Sequence, residues 1–363
     1  ELPPSMTVQS EWRRVFSDLS IRASRQAMKE KMGKALGVPC WQLLGPQLLD
    51  TLLVVFCLRN PDAPVQWSAK QWEAMRQRQA AEPLFDWAKV TQQFDRASYE
   101  RDGFVVTPGV LSEILIEKYG QAVDSEVNLR TARDTRPLSK KSLYEQSFIQ
   151  CMRLWETSEA VRPLSCDAAL AGIATQLMGV QSVRLWQDQA LYKESGGRET
   201  TPHQDQTFWP IGNEPLVSAW IPFEDVTIQD GAMAYVAGSH KAGRLKVVDI
   251  THSSDPYKIL EDPALKGRSP EYVEVKAGSV VWHHGLTVHQ AAANQSGSTR
   301  RVFTIVYIAS NARRAKTWPT YPLDREGIEV GEEMRGDGMP ILWPASSRLP
   351  DPPQLIGGET GPQ

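Results

Sequence analysis

The sequence predicts a mainly β protein with α-helices, built as a distorted jelly roll (a cupin-like double-stranded β-helix) that helices buttress. From Ser182 onward, short apolar runs of strand length alternate with turns rich in Gly, Pro and Asp. A double-sheet jelly roll is one arrangement that such strands adopt. Before residue 182, apolar residues recur mainly at helical spacing, which predicts the helices that support the sheets.

Three segments follow from this pattern. Residues 1–92 are predicted to form a helical N-terminal extension that acts as a lid or an oligomerisation element, and they contain no histidine. Residues 93–325 are predicted to form the jelly-roll domain. Residues 326–363 are rich in Pro, Gly and Ser, which predicts an irregular tail.

Individual elements can be predicted within the second segment. A strand is expected at residues 104–106, and helices at 112–119, 142–156 and 167–178. Short apolar runs then predict six strands, at residues 183–186, 216–221, 232–236, 272–275, 279–282 and 302–307.

Composition narrows the class of partner. The formal net charge of the 363 residues is only -3, which gives no reason to expect nucleic acid or an anionic membrane surface. The apolar run at residues 48–58 is too short to span a bilayer. The four cysteines lack C-x-x-C spacing, which favours reduced thiols in a cytoplasmic protein (Cys40, Cys57, Cys151 and Cys166). We therefore expect a small-molecule substrate, with any homodimer contact made through residues 1–92.

The histidines point to chemistry, because all six follow residue 202. The sharpest motif is Thr201-Pro202-His203-Gln204-Asp205. Residues i and i+2 of an extended strand share a face, so His203 and Asp205 can offer an imidazole nitrogen and a carboxylate oxygen to one metal ion. A second histidine from a distant strand would complete a facial triad that leaves three coordination positions open.

Two histidines, His284 and His289, compete for that third position. Arg300 lies 11 residues after His289, at the start of a predicted strand. Its guanidinium could hold the distal carboxylate of 2-oxoglutarate through a charge-assisted pair. His289 and Arg300 would then face one cavity from neighbouring antiparallel strands joined by a turn. We therefore predict His203, Asp205 and His289 as ligands of iron(II), with 2-oxoglutarate and dioxygen filling the open positions.

Seven motifs carry a resemblance to a known family. They occur in order over about residues 94–310, roughly 60% of the chain: YERDGFVVTPGVL, TPHQDQTFWP, VSAWIPF, DGAM, AGSHK, KAGSV and HGLTVHQAAANQSGSTRR. In their order and spacing, the chain resembles the phytanoyl-CoA dioxygenase family of non-haem iron oxygenases.

The resemblance implies an enzyme that uses iron(II), 2-oxoglutarate and dioxygen to oxidise, most often hydroxylate, a C–H bond of a small organic substrate. A partly apolar substrate of secondary metabolism is the favoured class. The resemblance also implies that Trp220 and Gln189 border the cosubstrate. Relatives often carry Gly-Ser just after the distal histidine, where this chain has Gln290 and Ala291. Another donor is therefore expected to assist Arg300.

Other residues have less specific interpretations. We expect Arg301 to face solvent, since neighbours on a strand point to opposite faces. Lys193 is expected to be exposed, His240 to order a turn and His252 to lie on the surface. His284 is then structural or borders the site. Three aromatic residues are predicted either to wall a substrate pocket or to pack in the core (Phe208, Trp209 and Trp282).

Two rival functions remain open from the sequence. The first is a regulatory protein that binds 2-oxoglutarate and metal without turnover, since fold does not imply function. The second is a cupin-like zinc enzyme, which would have no need of Arg300.

Overall fold

The computed structural model describes residues 95–353, apart from residues 254 and 347. The predicted helical extension over residues 1–92, its role in dimerisation and the final ten residues lie outside the described part of the chain. No helix in the described part is both long enough and apolar enough to cross a membrane. Cys151 and Cys166 are both buried, and neither forms a disulfide within the described residues.

The described chain alternates helices and strands up to Lys193 and is mostly strands afterwards. Six α-helices are α1 (Arg96–Asp102), α2 (Glu113–Thr131), α3 (Leu154–Thr157), α4 (Arg162–Ser165), α5 (Ala168–Met178) and α6 (Tyr321–Arg325). Eleven strands are β1 (Phe104–Thr107), β2 (Ile149–Met152), β3 (Val183–Lys193), β4 (Thr200–His203), β5 (Leu216–Pro222), β6 (Met233–Val236), β7 (Pro270–Val273), β8 (Val280–His284), β9 (His289–Ala291), β10 (Arg300–Ala309) and β11 (Ile341–Trp343).

The strands form two antiparallel sheets. The larger sheet has the order β1-β8-β5-β10-β3-β11, with β2 also pairing with β3. The smaller sheet has the order β4-β9-β6-β7. An apolar core cluster joins side chains of both sheets, among them Trp220 and Val302 of the larger sheet and Tyr235 and Ala291 of the smaller one. The predicted jelly roll of two sheets is confirmed.

Helix α5 supports the larger sheet and shows why this stretch is helical. The Asp167 carboxylate accepts hydrogen bonds from the backbone N–H groups of Ala169 and Leu170, which satisfies donors at the start of the helix. Gly179 ends the helix at φ 67°, a left-handed conformation that glycine adopts without a steric penalty. The helix predicted at 167–178 is confirmed, as is the strand at 104–106.

The helix predicted over residues 142–156 is wrong. The stretch contains turns, strand β2 and the short helix α3. Strand β2 pairs with β3 along its whole length, from Ile149 opposite Tyr192 to Met152 opposite Gln189. Hydrogen bonds to a distant strand therefore override the local apolar spacing.

Strand β11 lies within the stretch where the sequence predicts an irregular tail. It pairs with β3, and its residues Leu342 and Trp343 are buried. The fully buried guanidinium of Arg153 donates to the carbonyl of Gly338 over 2.6 Å and to the Glu156 carboxylate over 2.7 Å. A buried hydrogen bond from Arg153 and the burial of apolar side chains thus hold this segment in place, despite its Pro and Gly content.

Candidate metal centre

Strands β4 and β9 bring the three predicted ligands together. His203 ends β4, His289 begins β9, and the two residues lie directly opposite each other. The Nε2 atoms of His203 and His289 lie 3.4 and 3.5 Å from Oδ1 of Asp205. All three residues can place one ligand atom within 4.8 Å of the other two. This is a donor set that suits a divalent transition metal.

The backbone around Asp205 differs from the continuous strand that the sequence predicts. Strand β4 ends at His203, Gln204 is extended (φ -115°, ψ 124°), and Asp205 begins a turn of 3-10 helix. The Gln204 side chain points away, where its Nε2 donates to the carbonyls of Gly243 and Leu286. Because Gln204 is extended, side chains still alternate across this one residue, and His203 and Asp205 point the same way.

Backbone carbonyls fix the orientation of both imidazole rings. Nδ1 of His203 lies 2.7 Å from the carbonyl oxygen of Thr201, and Nδ1 of His289 lies 3.0 Å from that of Thr287. An Nδ1–H that donates to a carbonyl leaves the lone pair of Nε2 free for a metal. Burial also lowers the pKa of His289 to about 3. A proton therefore does not compete for this nitrogen at neutral pH.

The Asp205 carboxyl group is held as an anion. Burial alone would raise its pKa, but the interactions of the carboxyl group with the imidazoles of His289, His203 and His283 outweigh burial and hold the pKa well below its usual range. Oδ2 accepts a hydrogen bond from Ser218 Oγ over 3.2 Å and lies 3.2 Å from His283 Nε2. Oδ1 is thus the oxygen that faces the two predicted histidine ligands.

His283 is a residue of the site that the sequence reasoning missed. The sequence offers His284 as the competitor of His289, yet His284 lies on the other side of β8, where its Nδ1 accepts from the backbone N–H of Leu286. Strand alternation would have placed His283 and His284 on opposite faces. Which of the two faces inward depends on the pairing of β8 with β1 and β5, and this pairing is not visible in the local sequence.

His284 supplies a prediction about stability and pH. Burial lowers its pKa to about 4, so the unfolded chain takes up a proton below pH 6.5 that the folded chain does not. Stability is therefore lost as the pH falls from about 6.5 to about 4. The titration of His284 should lower the free energy of unfolding by about 2 kcal/mol between pH 7 and pH 5.

His284→Asn keeps an acceptor near Leu286 and removes the titration. Urea unfolding of the metal-free protein at both pH values checks this, and His284→Asn should lose less stability than the unmodified chain. An equal loss in both proteins would contradict the assignment.

Arg300 faces the same interior as His289, but from the opposite sheet. The sequence predicts neighbouring strands; this is wrong, because β9 belongs to the smaller sheet and β10 to the larger one. Arg300 is 3% exposed, its Nη1 donates to the Gly231 carbonyl over 2.6 Å, and its Cζ lies 5.5 Å from the centre of the Trp220 ring. Burial lowers its pKa to about 10, which leaves the guanidinium charged at neutral pH.

Several buried donors near Arg300 lack a partner. Arg300 Nε, Trp220 Nε1 and Thr304 Oγ1 make no hydrogen bond within the described residues. Thr304 lies opposite Trp220 on β5 and opposite Gln189 on β3, so these side chains share one face of the sheet. An unsatisfied buried donor costs about 1–3 kcal/mol. A carboxylate bound at Arg300 would accept from its unpartnered Nε, so the residues present fit the distal end of 2-oxoglutarate.

Lys193 is a second buried cation beside Arg300. The sequence predicts an exposed lysine, and this is wrong: Lys193 is fully buried and lies directly opposite Arg300 in the β3–β10 pairing. Its Nζ donates to the carbonyl of Arg198 and to Thr200 Oγ1. Burial first, and then the charge of Arg300, lower its pKa to about 7. Neither cation has a carboxylate within ion-pair distance in the part of the chain that is described.

The remaining side chains behave as follows. Arg301 points away from Arg300, as predicted, but it is only partly exposed because it forms ion pairs with Asp124 and Glu224. Trp282 is fully buried in the core, whereas the Phe208 ring lies 5.5 Å from the His203 ring and borders the metal centre. Three other residues lie outside the site. Trp209 packs against a core cluster, His240 lies in a 3-10 turn, and His252 is exposed.

The jelly roll and the two-histidine, one-carboxylate set define a class, the non-haem iron oxygenases that use 2-oxoglutarate. A family profile for phytanoyl-CoA dioxygenase (PhyH) matches residues 99–302. This match covers more than half of the chain, so the chain belongs to the phytanoyl-CoA dioxygenase family.

Known proteins similar to this chain agree with that assignment. A phytanoyl-CoA dioxygenase from Arabidopsis thaliana is 27% identical over 161 residues, 44% of this chain and 56% of the relative. The chain spans about half the length of the curated relatives that it matches first.

Two solved structures resemble the fold at low sequence identity. The carbocyclase SnoK from nogalamycin biosynthesis is 27% identical, with a TM-score of 0.57 over 68% of this chain and 94% of SnoK. The epimerase SnoN, solved with Fe3+, alpha ketoglutarate and nogalamycin RO, is 26% identical, with a TM-score of 0.57 over 71% of this chain and 100% of SnoN.

Proposed function

We propose that this chain is an iron(II)- and 2-oxoglutarate-dependent dioxygenase that oxidises a C–H bond of a small, partly apolar organic molecule. One observation carries the proposal: the candidate metal ligands and the unpartnered donors around Arg300 face one interior from opposite sheets. A cupin-like zinc enzyme would need the first feature and not the second. The balanced reaction for hydroxylation converts substrate, 2-oxoglutarate and dioxygen into hydroxylated substrate, succinate and carbon dioxide.

The metal ligands define the reacting end of the site. His203, Asp205 and His289 would hold iron(II) and leave three coordination positions open. Iron(II) bound there supplies the activation of dioxygen, coupled to oxidative decarboxylation of 2-oxoglutarate. The residues of the protein would orient the cosubstrate and the C–H bond and exclude water.

The other end of the cosubstrate would meet the two buried cations. Arg300 supplies a planar fork that matches a carboxylate, and Lys193, whose pKa is lowered to about 7, would supply a second positive charge once a bound carboxylate favours its protonated form. Lys193 would thus be the further donor that assists Arg300, in place of the Ser hydroxyl that relatives often carry after the distal histidine. Gln290 is turned outward to Tyr272, and Ala291 has no donor, so neither residue can assist Arg300.

The substrate would approach the metal beside Phe208 and Tyr144. Burial first, and then the charge of Asp205, raise the pKa of Tyr144 to about 12. Tyr144 donates to Gln150, and Gln150 donates to Gln189, each over 2.7 Å. This chain of hydrogen bonds fixes the Oε1 end of the Gln189 amide, and its Nε2 would be available to a bound molecule.

The substrate class is supported by the solved relatives. SnoK and SnoN both come from nogalamycin biosynthesis, one as a carbocyclase and one as an epimerase. We therefore propose that the substrate is a small organic molecule of secondary metabolism. We further propose hydroxylation as the favoured outcome and a cytoplasmic location for the protein. Ring closure or epimerisation would use the same residues.

Turnover of 2-oxoglutarate tests the proposal. Succinate is measured after anaerobic loading with iron(II), addition of ascorbate and admission of air, with a panel of small, partly apolar organic compounds as substrates. We expect succinate to form with iron(II) and not with zinc, and product mass to show which compound is oxidised. Tight binding of 2-oxoglutarate with no succinate from any compound would instead indicate a regulatory protein, and activity with zinc alone would indicate the zinc enzyme.

A further inference from the structure

Oδ2 of Asp205, the oxygen that faces away from the two histidine ligands, lies among polar side chains of the larger sheet. Oδ2 accepts from Ser218 Oγ and lies within hydrogen-bond distance of His283 Nε2, each over 3.2 Å. Ser218 and His283 are direct partners in the pairing of β5 with β8. Both therefore present their side chains from the same face of the larger sheet, towards a carboxylate from the other side of the interior.

The other ring nitrogen of His283 also has a partner. Its Nδ1 lies 3.5 Å from the hydroxyl oxygen of Tyr235, a fully buried residue of β6 whose ring stacks on Phe104 at 4.6 Å. An ionised Asp205 carboxylate can only accept, so the proton of a neutral His283 imidazole sits on Nε2, and Nδ1 is left to accept from the Tyr235 phenol. Tyr235 thus stabilises the tautomer in which Nε2–H donates to Asp205.

From this geometry we infer that His283 is a positioning residue: it holds Oδ2 of Asp205, keeps the carboxylate a one-oxygen ligand through Oδ1, and depends on Tyr235 for its tautomer. The inference rests on the proposed function, because it takes His203, Asp205 and His289 as the metal ligands. A carboxylate free to turn could offer both oxygens to the metal and close one of the three open positions. His283 and Ser218 prevent this turn.

His283 itself is poorly placed to be a ligand. Its Nε2 approaches Oδ2, whereas the nitrogens of His203 and His289 approach Oδ1. The imidazole rings of His283 and His289 lie 4.8 Å apart, so His283 also packs against one of the ligands. Hydrogen bonds of this kind around a metal site typically contribute 10–100-fold to metal affinity.

Cobalt(II) binding to the full chain tests the inference without turnover. Three variants are compared with the unmodified protein: His283→Leu removes the donor, His283→Gln keeps an N–H near the position of Nε2, and Tyr235→Phe removes only the hydroxyl. His284→Asn is the matched control, since its side chain lies on the other face of β8. Affinity is measured by competition with a chromophoric chelator, and the visible spectrum of cobalt(II) reports its coordination number.

We expect His283→Leu to weaken cobalt(II) binding about 10–100-fold and to shift the spectrum towards a higher coordination number. His283→Gln should recover most of the affinity, Tyr235→Phe should lose less than His283→Leu, and His284→Asn should match the unmodified protein. Unchanged affinity and spectrum in His283→Leu would show that His283 only packs. Equal, complete loss of binding in His283→Leu and His283→Gln would show that His283 is a ligand, which also overturns the inference.

Tyr235→Phe and the choice of cobalt(II) allow a result even if one variant does not fold or no turnover is seen. If His283→Leu does not fold, Tyr235→Phe decides the matter, because an unchanged cobalt(II) affinity and spectrum in that variant would overturn the role of the tautomer. Cobalt(II) affinity is independent of dioxygen and substrate. Failure to form succinate would therefore reject the proposed function and leave this result to be judged by itself.

Discussion

Replacement of His289 by alanine is expected to abolish iron(II) binding and, with it, all turnover of 2-oxoglutarate. His289 offers an Nε2 that is neutral at physiological pH and aimed at Oδ1 of Asp205. Loss of one of three protein ligands removes a direct bond, so the loss of affinity should exceed the roughly 10–100-fold cost of removing a hydrogen bond around the site. Metal content after dialysis against iron(II), measured by inductively coupled plasma spectrometry, checks the expectation.

His284→Asn is the matched control for this experiment. His284 was the competing third ligand in the sequence, and its ring packs 5.3 Å from that of His240, away from the three ligands. The asparagine variant should keep its iron and its activity. Retention of iron by His289→Ala, together with its loss from His284→Asn, would contradict the assignment of the third ligand.

Replacement of Arg300 by methionine is the second change with a large expected effect. Arg300 is buried, charged and has an unpartnered Nε beside the donors of Trp220 and Thr304. Removal of one partner of a buried, hydrogen-bonded charge pair costs about 2–5 kcal/mol. The concentration of 2-oxoglutarate needed for half-saturation should therefore rise roughly 30-fold or more. Calorimetric titration of the manganese(II)-loaded protein under nitrogen measures this directly.

Arg301→Met provides the control for charge and size. Arg301 follows Arg300 in the chain, points to the other face of β10 and pairs with Asp124 and Glu224. Its replacement should lower stability slightly and leave the affinity for 2-oxoglutarate unchanged. Arg300→Lys should restore only part of the affinity, since an ammonium keeps the charge but lacks the planar fork. Equal weakening in Arg300→Met and Arg301→Met would argue for a nonspecific effect of charge.

Local pattern predicted much of the fold and part of the site. The strands after Ser182 and the helix over 167–178 could be predicted because alternation and capping act within a few residues. His203 and Asp205 could be paired because one step of extended backbone suffices to put them together. The helix predicted over 142–156 was wrong because β2 exists only through its pairing with β3.

The amino-acid sequence itself thus determined the jelly-roll fold. It also determined the class of metal site, which the H-x-D motif and a distant histidine define. The tertiary structure alone decided which histidine of the His283-His284 pair faces Asp205, that Arg300 approaches from the sheet opposite His289, and that Lys193 is buried beside Arg300. The physical reason is that each of these contacts joins strands far apart in the chain. Strand alternation fixes only that neighbours face opposite ways, while the packing of two sheets fixes which way is inward.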